Sequence, residues 1–216
     1  MRVVIAGGHG QIALRLERLL AARGDEGVGI IRNPAHAADL EAAGAQAVVL
    51  DLENSSVDAV AEVLKGADAA VFSAGAGPGS GTARKDTVDR GAAALFAEAA
   101  ERAGVRRHVQ VGSMGADNPD NPDVSEEFRY YLRAKRAAED DLKARDLDWT
   151  ILRPGQLTDD PGTGLVLLAE KTGRGPVPRD DVAAVLVGLL ETPASVHRTL
   201  ELISGEEAIG EAIAAL

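Results

Sequence analysis

Apolar residues fall along this chain in short β-rich runs that alternate with longer stretches of helical pattern. Residues 2–6 are followed by the helical pattern 11–23, then 28–31 by 35–43, 47–50 by 57–64, 69–73 by 85–103 and 107–112 by 126–145, with a last run at 149–153. Strand, helix, strand in this order is the rhythm of a parallel sheet, because a parallel connection has to cross over and a helix fills the crossover. Six strands and five crossovers predict an α/β fold with a doubly wound parallel sheet and helices on both faces. Beyond Pro154 the pattern blurs: 164–170 reads as strand or short helix, 180–191 as an amphipathic helix, 199–203 as a strand and 206–216 as a final helix. That tail is too small for a separate domain, so one domain over 1–216 is expected, with a short C-terminal extension and substrate-side elements within 113–131 and 154–216.

Composition narrows the picture. Apolar residues make up 45% of the 216 but aromatics only 3%, so the core must be built from Ala, Val, Leu and Ile, which suits helices packed on a parallel sheet. Lys and Arg number 23 against 34 Asp and Glu, a net charge of −11 with no basic run to offset it, which argues against a nucleic-acid partner. The absence of cysteine excludes disulfides, thiolate metal sites and a cysteine nucleophile, and no metal site is expected. The first apolar run, Val3 to Ala6, is too short for a signal peptide or a membrane span. A soluble, cytoplasmic protein with no membrane partner is the expectation. Two low-complexity loops, 75–81 and 117–123, follow strand ends, where open α/β sheets bind their ligands.

The most informative motif comes first in the chain. Val3-Val4-Ile5-Ala6 runs into Gly7-Gly8-His9-Gly10-Gln11-Ile12-Ala13, then into a helical pattern carrying Leu14, Leu16, Leu19 and Leu20. The turn reads as GxGxxA from Gly8 or GxxGxxA from Gly7; glycine lets the backbone turn sharply and approach a pyrophosphate, and Ala13 keeps helix and strand close. Amides at the helix start then face the phosphates, which places Gly7, Gly8, His9, Gly10, Gln11 and Ile12 at a dinucleotide coenzyme. His9 belongs there by position only; a lone loop histidine reads as exposed, not as a ligand or catalyst.

The end of the second strand bears on which dinucleotide. NAD-selective sites carry Asp or Glu there, for the ribose 2′-hydroxyl. Here the strand runs Val28-Gly29-Ile30-Ile31-Arg32-Asn33-Pro34 with no carboxylate, and Arg32 offers a planar guanidinium to a 2′-phosphate and to adenine, with Asn33 beside it. An arginine before a proline-initiated helix can equally be solvated, but NADP(H) is favoured over NAD(H). Asp51-Leu52, at the end of the third strand, places a carboxylate near the adenine amino group or else caps the strand.

Ser113 follows the strand 107–112, and Tyr131 and Lys135 lie four residues apart on a predicted helix, which puts phenol and ammonium on one face. A cation there favours the phenolate and so eases proton transfer, and the serine hydroxyl can hold a substrate carbonyl beside it. Tyr130-Tyr131 read alone are as readily interfacial aromatics. Trp149, at a strand start, reads as packed, and 179–181 as a helix cap with first-turn carboxylates.

With these residues the chain resembles, over essentially its whole length, the short-chain dehydrogenase/reductase superfamily, a Rossmann fold. It is most similar to the small atypical NAD(P)-binding branch, which also resembles the NmrA-like and extended epimerase groups. The matching stretches are Gly7 to Ala13, Ile31-Arg32-Asn33-Pro34, Asp51-Leu52, Ser73-Ala74-Gly75-Ala76-Gly77, Val111-Gly112-Ser113, 131–139, Trp149 to Gly155 and Arg179 to Ala183. The resemblance implies that Ser113 polarises the substrate oxygen, Tyr131 is the general acid/base, and Lys135 assists the tyrosine and bonds the nicotinamide ribose. It further implies that Ala74 and Gly75 border the adenine ribose, with Ser73 also among the coenzyme residues, and that Pro154-Gly155 border the nicotinamide carboxamide. Ala13 departs from the family's usual glycine.

The function expected is an NADP(H)-dependent oxidoreductase, or an epimerase using transient hydride transfer, on a small carbonyl or alcohol substrate. The short tail argues against a bulky sugar nucleotide. The alternative is a redox-sensing NADP(H) binder without turnover. The crossover helices 85–103 and 126–145 are candidates for pairing in a homodimer, although a solvated face reads the same way.

Overall fold

The computed structural model describes residues 1–75, 77 and 84–216. Most of the glycine-rich loop expected at 75–81, and Ala76 of the 73–77 match, lie outside the described residues. The elements run β1 (Arg2–Ala6), α1 (Gln11–Ala22), β2 (Glu26–Ile31), α2 (Ala37–Ala42), β3 (Gln46–Val49), α3 (Val57–Leu64) and β4 (Ala69–Phe72). A segment of wide, π-type turns (Lys85–Ala92) then leads into α4 (Ala93–Ala103), followed by β5 (Arg107–Val111), α5 (Glu126–Lys143) and β6 (Asp148–Pro154). The remainder is β7 (Gln156–Thr158), β8 (Leu165–Ala169), β9 (Pro176–Pro178), α6 (Arg179–Leu190), β10 (Arg198–Ser204), β11 (Glu207–Ala208) and α7 (Ile209–Ala214).

The main sheet has the order β11-β8-β10-β6-β5-β4-β1-β2-β3. From β3 to β10 every pairing is parallel, and the order reverses between β1 and β4, the switch point of a Rossmann sheet. Because both faces are covered, residues of the central strands β1, β4 and β5 are buried whichever way they point, apart from the first residue of β1 and of β5. Val3 and Ile5 pack with Leu16 and Leu20 of α1 and with Val182, Leu186 and Leu189 of α6. Val4 and Ala6 face the other layer, with Val60 and Leu64 of α3, Phe96 and Ala100 of α4 and Leu142 of α5. Phe72 and Phe96, ring centroids 6.0 Å apart, supply much of the scarce aromatic bulk. Ser125 opens α5: its hydroxyl accepts from the Phe128 amide at 3.2 Å, with Glu126 and Glu127 in the first turn.

The six expected parallel strands are all present. The tail settles what the sequence left open and differs from expectation in its last helix and in one added strand pair. The strand expected at 199–203 joins the sheet beside β6 as a seventh parallel strand, Leu200 opposite Leu152. The run 164–170, strand or short helix by sequence, is a strand: β8 pairs antiparallel to β10, burying Val166 and Leu168 while Leu165 and Leu167 stay exposed. Its side chains are nearly all apolar, so the alternation was hidden. The helix expected over 206–216 is shorter, because Glu207–Ala208 first extends the edge of β8 and only Ile209–Ala214 is helical. A separate parallel pair, β7 with β9, was not expected; its strands are three residues long and β9 is bounded by prolines. Helix α6 starts at Arg179 after Pro178, without a side-chain cap; Asp180 and Asp181 sit in its first turn and accept from the amides of Gly162, Thr163 and Gly164. Trp149 is half-buried against the His197 ring. Among the described residues no helix is long and apolar enough to cross a membrane.

Candidate functional site

The turn between β1 and α1 is built by backbone approach. Gly7 has φ +82°, in the left-handed region, and a Cβ there would meet the Ala74 Cα at 2.7 Å. A Cβ on Gly8 would lie 2.7 Å from the Gly29 Cα. Two strand ends and the turn therefore touch backbone to backbone. Gly10, which precedes α1 in extended conformation, offers no side chain to the first-turn amides, and no acid lies in that turn. The positive end of a twelve-residue helix is thus uncapped, an anion site by construction. These residues fit a pyrophosphate.

Two clefts of about 170 and 230 Å³ open on either side of this turn, sharing Gly7, Ile30, Arg32 and Ala74. Each could hold several heavy atoms, since a liquid water takes about 30 Å³. The first is lined further by Leu50, Asp51, Leu52, Glu53, Arg84 and Val88, the second by His9, Gly10, Asn33, His36, Ser73 and Gly75. The sequence-predicted coenzyme residues Gly7, Gly10, Arg32, Asn33, Asp51, Leu52, Ser73, Ala74 and Gly75 thus converge, and His9 with them. His9 is not a solitary loop histidine: its ring stacks on His36 at 3.6 Å and its Nε2 lies 2.8 Å from Asp39. The Asp51 carboxylate is occupied locally, accepting from the Glu53 amide at 3.1 Å and from Asn54 at 2.7 Å, the strand-cap alternative. Gln11 and Ile12 face elsewhere. Gln11 accepts from Arg15, and the Ile12 side chain packs in the core, so only their backbone faces the turn.

Arg32 does not extend freely into the cleft. Its Nη1 donates to Glu53 at 3.0 Å, and the same carboxylate oxygen receives Arg84 Nη2 at 3.0 Å, while Thr87 donates to the other oxygen at 2.6 Å. Glu53 is held below the usual carboxylate range, first by the Thr87 hydrogen bond and then by the arginines.

On the far side of β4, Lys135 gathers the other candidates. Its ammonium is buried, donates to the Val111 carbonyl at 3.2 Å and lies 3.5 Å from Asp89 and 5.9 Å from the centroid of the Tyr131 ring. Val111 is two residues before Ser113, so the end of β5 and one face of α5 meet here. The Ser113 hydroxyl, half-buried, donates to the Met114 carbonyl at 3.2 Å. Asp89 reaches back toward the second cleft: a Cβ on Gly75, which lines it, would sit 3.3 Å from its Oδ1. The structure thus brings the Lys135 cation and the Tyr131 ring together beside the end of β5, the strand that Ser113 follows. Pro154-Gly155 sit two strands from β4 and line neither cleft; the Gly155 amide donates to Leu202, and a Cβ there would run into the Gly175 carbonyl.

A model described as NAD(P)H-binding matches residues 7–193. The chain belongs to that family. This NAD(P)H-binding protein is 38% identical over 214 residues to YhfK of Bacillus subtilis (strain 168), named as an uncharacterized sugar epimerase, covering 99% of both chains. It superimposes with a TM-score of 0.93 on a Bacillus halodurans protein provisionally named an NAD-dependent epimerase/dehydratase, at 33% identity over 100% of both chains. With ChuY of Escherichia coli O157:H7, described as an anaerobillin reductase, it shares 27% identity and a TM-score of 0.77 over 94% of this chain and 97% of that one. These matches agree with the resemblance to epimerase/dehydratase-like atypical short-chain dehydrogenases.

Sequence reasoning missed several groups in this NAD(P)H-binding protein. Glu53 and Arg84 flank Arg32, and Asp89 neighbours Lys135. Lys85, also buried, pairs with Glu127 at 2.6 Å. Glu139, one turn beyond Lys135, is fully buried against Arg153, whose Nη1 continues to Asp117 at 2.8 Å; Lys171 then joins Asp117 at 2.5 Å to Glu201 at 3.0 Å. Asp117 lies well below the usual carboxylate range, chiefly through its bond to Arg153. The spacing Tyr131, Lys135, Glu139 was a visible signal: three polar groups at four-residue steps on one face of α5.

Proposed function

We propose that this NAD(P)H-binding protein is an NADP(H)-dependent oxidoreductase acting on a small carbonyl or alcohol, with epimerisation through transient hydride transfer as the variant of the same chemistry. The observation that carries the reading is the buried Lys135 ammonium, bonded to the end of β5, beside the Tyr131 ring and next to Asp89, whose carboxylate lies close to Gly75 of the second cleft. A reductase among the structural relatives supports the same class. The amides of His9, Gln11 and Ile12 would take the pyrophosphate against the backbone of Gly7, Gly8 and Gly10, since the Gly8 and Gly10 amides already bond the Ile30 and Gly7 carbonyls at 3.0 and 2.8 Å. Arg32 and Asn33 would take a 2′-phosphate, and Asp51-Leu52 the adenine. Ser73, Ala74, Gly75, Lys135 and Pro154-Gly155 would border the riboses and nicotinamide. When bound, the coenzyme supplies or accepts the hydride.

The protein's own part is to hold and protonate the substrate oxygen. In the reductive direction the Ser113 hydroxyl turns from the Met114 carbonyl to donate to that oxygen, the Tyr131 hydroxyl delivers the proton, and the Lys135 charge stabilises the phenolate left behind. Tyr131→Phe keeps the ring and deletes the proton. NADPH binding, read by fluorescence titration, is expected to stay within about twofold, while turnover found by screening aldehydes, ketones and quinones falls about 10²-fold or more. Turnover that survives Tyr131→Phe would remove the assigned acid. Tight NADPH binding with no turnover of any compound would leave a coenzyme-binding sensor as the better description.

A further inference from the structure

We infer that Glu53 is a specificity-determining residue, an internal acceptor that competes with the coenzyme 2′-phosphate for Arg32 and Arg84 and thereby keeps the site open to NADH as well as NADPH. The inference rests on the coenzyme reading above and deepens it. Three segments meet at this carboxylate: Arg32 from the end of β2, Glu53 from the β3–α3 connection, and Arg84 with Thr87 from the segment after β4. All but Thr87 line the same cleft, beside Leu52 and Ala74. One carboxylate oxygen takes both guanidiniums at 3.0 Å and the other takes the hydroxyl, so Glu53 is already supplied with three donors.

That arrangement can meet two coenzyme ends in two ways. A ribose 2′-hydroxyl is a donor, and a carboxylate accepts from it while keeping its arginines. A 2′-phosphate brings roughly −1.5 to −2 charges and acceptor oxygens only, so it takes the guanidinium donors and is repelled by the carboxylate they leave. Two arginines and one glutamate present a net +1 to that phosphate; with the glutamate neutralised they would present +2. The Thr87 bond holds the carboxylate by its second oxygen, so Glu53 stays in the cleft when the guanidiniums turn to the phosphate. The cation implied by the sequence for NADP is therefore matched by an anion that tempers the preference.

The test titrates NADPH and NADH, and separately adenosine 2′,5′-bisphosphate and 5′-AMP, against wild-type protein, Glu53→Gln and Arg84→Met. Glu53→Gln is expected to tighten NADPH and the bisphosphate about 5- to 10-fold, with NADH and AMP unchanged or weaker by a few-fold. Arg84→Met, which keeps most of the side-chain volume, is expected to weaken the two 2′-phosphorylated ligands about 3- to 10-fold and spare the others. Weaker NADPH binding in Glu53→Gln would mean that the carboxylate only positions the arginines, and would overturn the inference. So would equal shifts for both coenzymes. Wild-type protein that binds neither coenzyme would remove the oxidoreductase reading itself, together with this one. Tight coenzyme binding with an unmoved NADPH/NADH ratio would remove only the role of Glu53.

Discussion

Around the coenzyme turn the close contacts are between backbones, whereas two strands further along the sheet they are between charges. Gly7 and Gly8 admit Ala74 and Gly29 at distances where no Cβ fits, and the layer beneath is Val, Ile, Leu and Ala. On the β5–β6 side, Arg153 and Glu139 are buried as a pair, and their network runs through Asp117 and Lys171 to Glu201, linking the β5–α5 loop, the β8–β9 connection and β10. The first region is fixed by shape, which suits the proposed presentation of amides to a phosphate without rearrangement. The second is fixed by ion pairs that tie loops from distant parts of the chain around the proposed substrate side. Shape tolerates no added atom; a charge network tolerates no missing partner.

The largest effect should come from breaking that network. Arg153→Met keeps much of the volume but leaves the Glu139 carboxylate buried without its cation, and removing one partner of a buried pair costs about 3–5 kcal/mol. Urea unfolding should show a loss of that size, and Glu139→Met in the same chain should restore most of it, because the orphaned charge is then gone. A loss below about 1 kcal/mol for Arg153→Met would show that water reaches the pair and that the two halves of the sheet are not held differently.

The same contrast decides how much the sequence revealed. The coenzyme turn was legible because its parts lie within seven consecutive residues and its constraint is steric, which glycine announces. The six strands were legible from periodicity, and the pairing of Tyr131 with Lys135 from a four-residue step. Arg153 with Glu139, Asp117 with Lys171 and Lys171 with Glu201 were not legible: each pair joins residues 14 to 54 apart, and a charged residue in sequence looks solvated whether or not it is buried. Arg32 lies between these cases. Its position at the end of β2 was readable, but its occupation by Glu53, 21 residues away, was not.

The next effect tests that intermediate position. Arg32→Ala should weaken NADPH by roughly 1.5–3 kcal/mol, the scale of a charge-assisted hydrogen bond, and change NADH little. Isothermal titration of both coenzymes measures it. Equal losses for the two would place Arg32 against the adenine, and tighter NADH than NADPH binding in the wild-type protein would remove the NADP(H) preference.

The smallest effect lies in the shape-fixed region, where one polar group breaks the apolar pattern. Glu17 of α1 is fully buried against β2: its Oε1 would be 2.5 Å from a Cβ on Gly29, and neither carboxyl oxygen has a hydrogen-bond partner among the described residues. Burial raises its pKa to about 8, from 4.5 in the open chain. Between those values the folded protein holds a proton that the unfolded chain has released, so stability is greatest below the lower value. It falls as pH rises, and levels off above about 8. One proton gives a slope of at most about 1.4 kcal/mol per pH unit, so between pH 6.5 and 8.5 the wild-type protein should lose about 1–2 kcal/mol through this residue. Glu17→Gln keeps the shape and cannot ionise. The gap in stability between the two proteins, read by urea unfolding and in favour of the variant, should therefore widen by about that amount from pH 6.5 to 8.5. Parallel curves across that range would mean that Glu17 finds a partner or water when ionised, and that the packing beneath the coenzyme turn is less dry than its glycines imply.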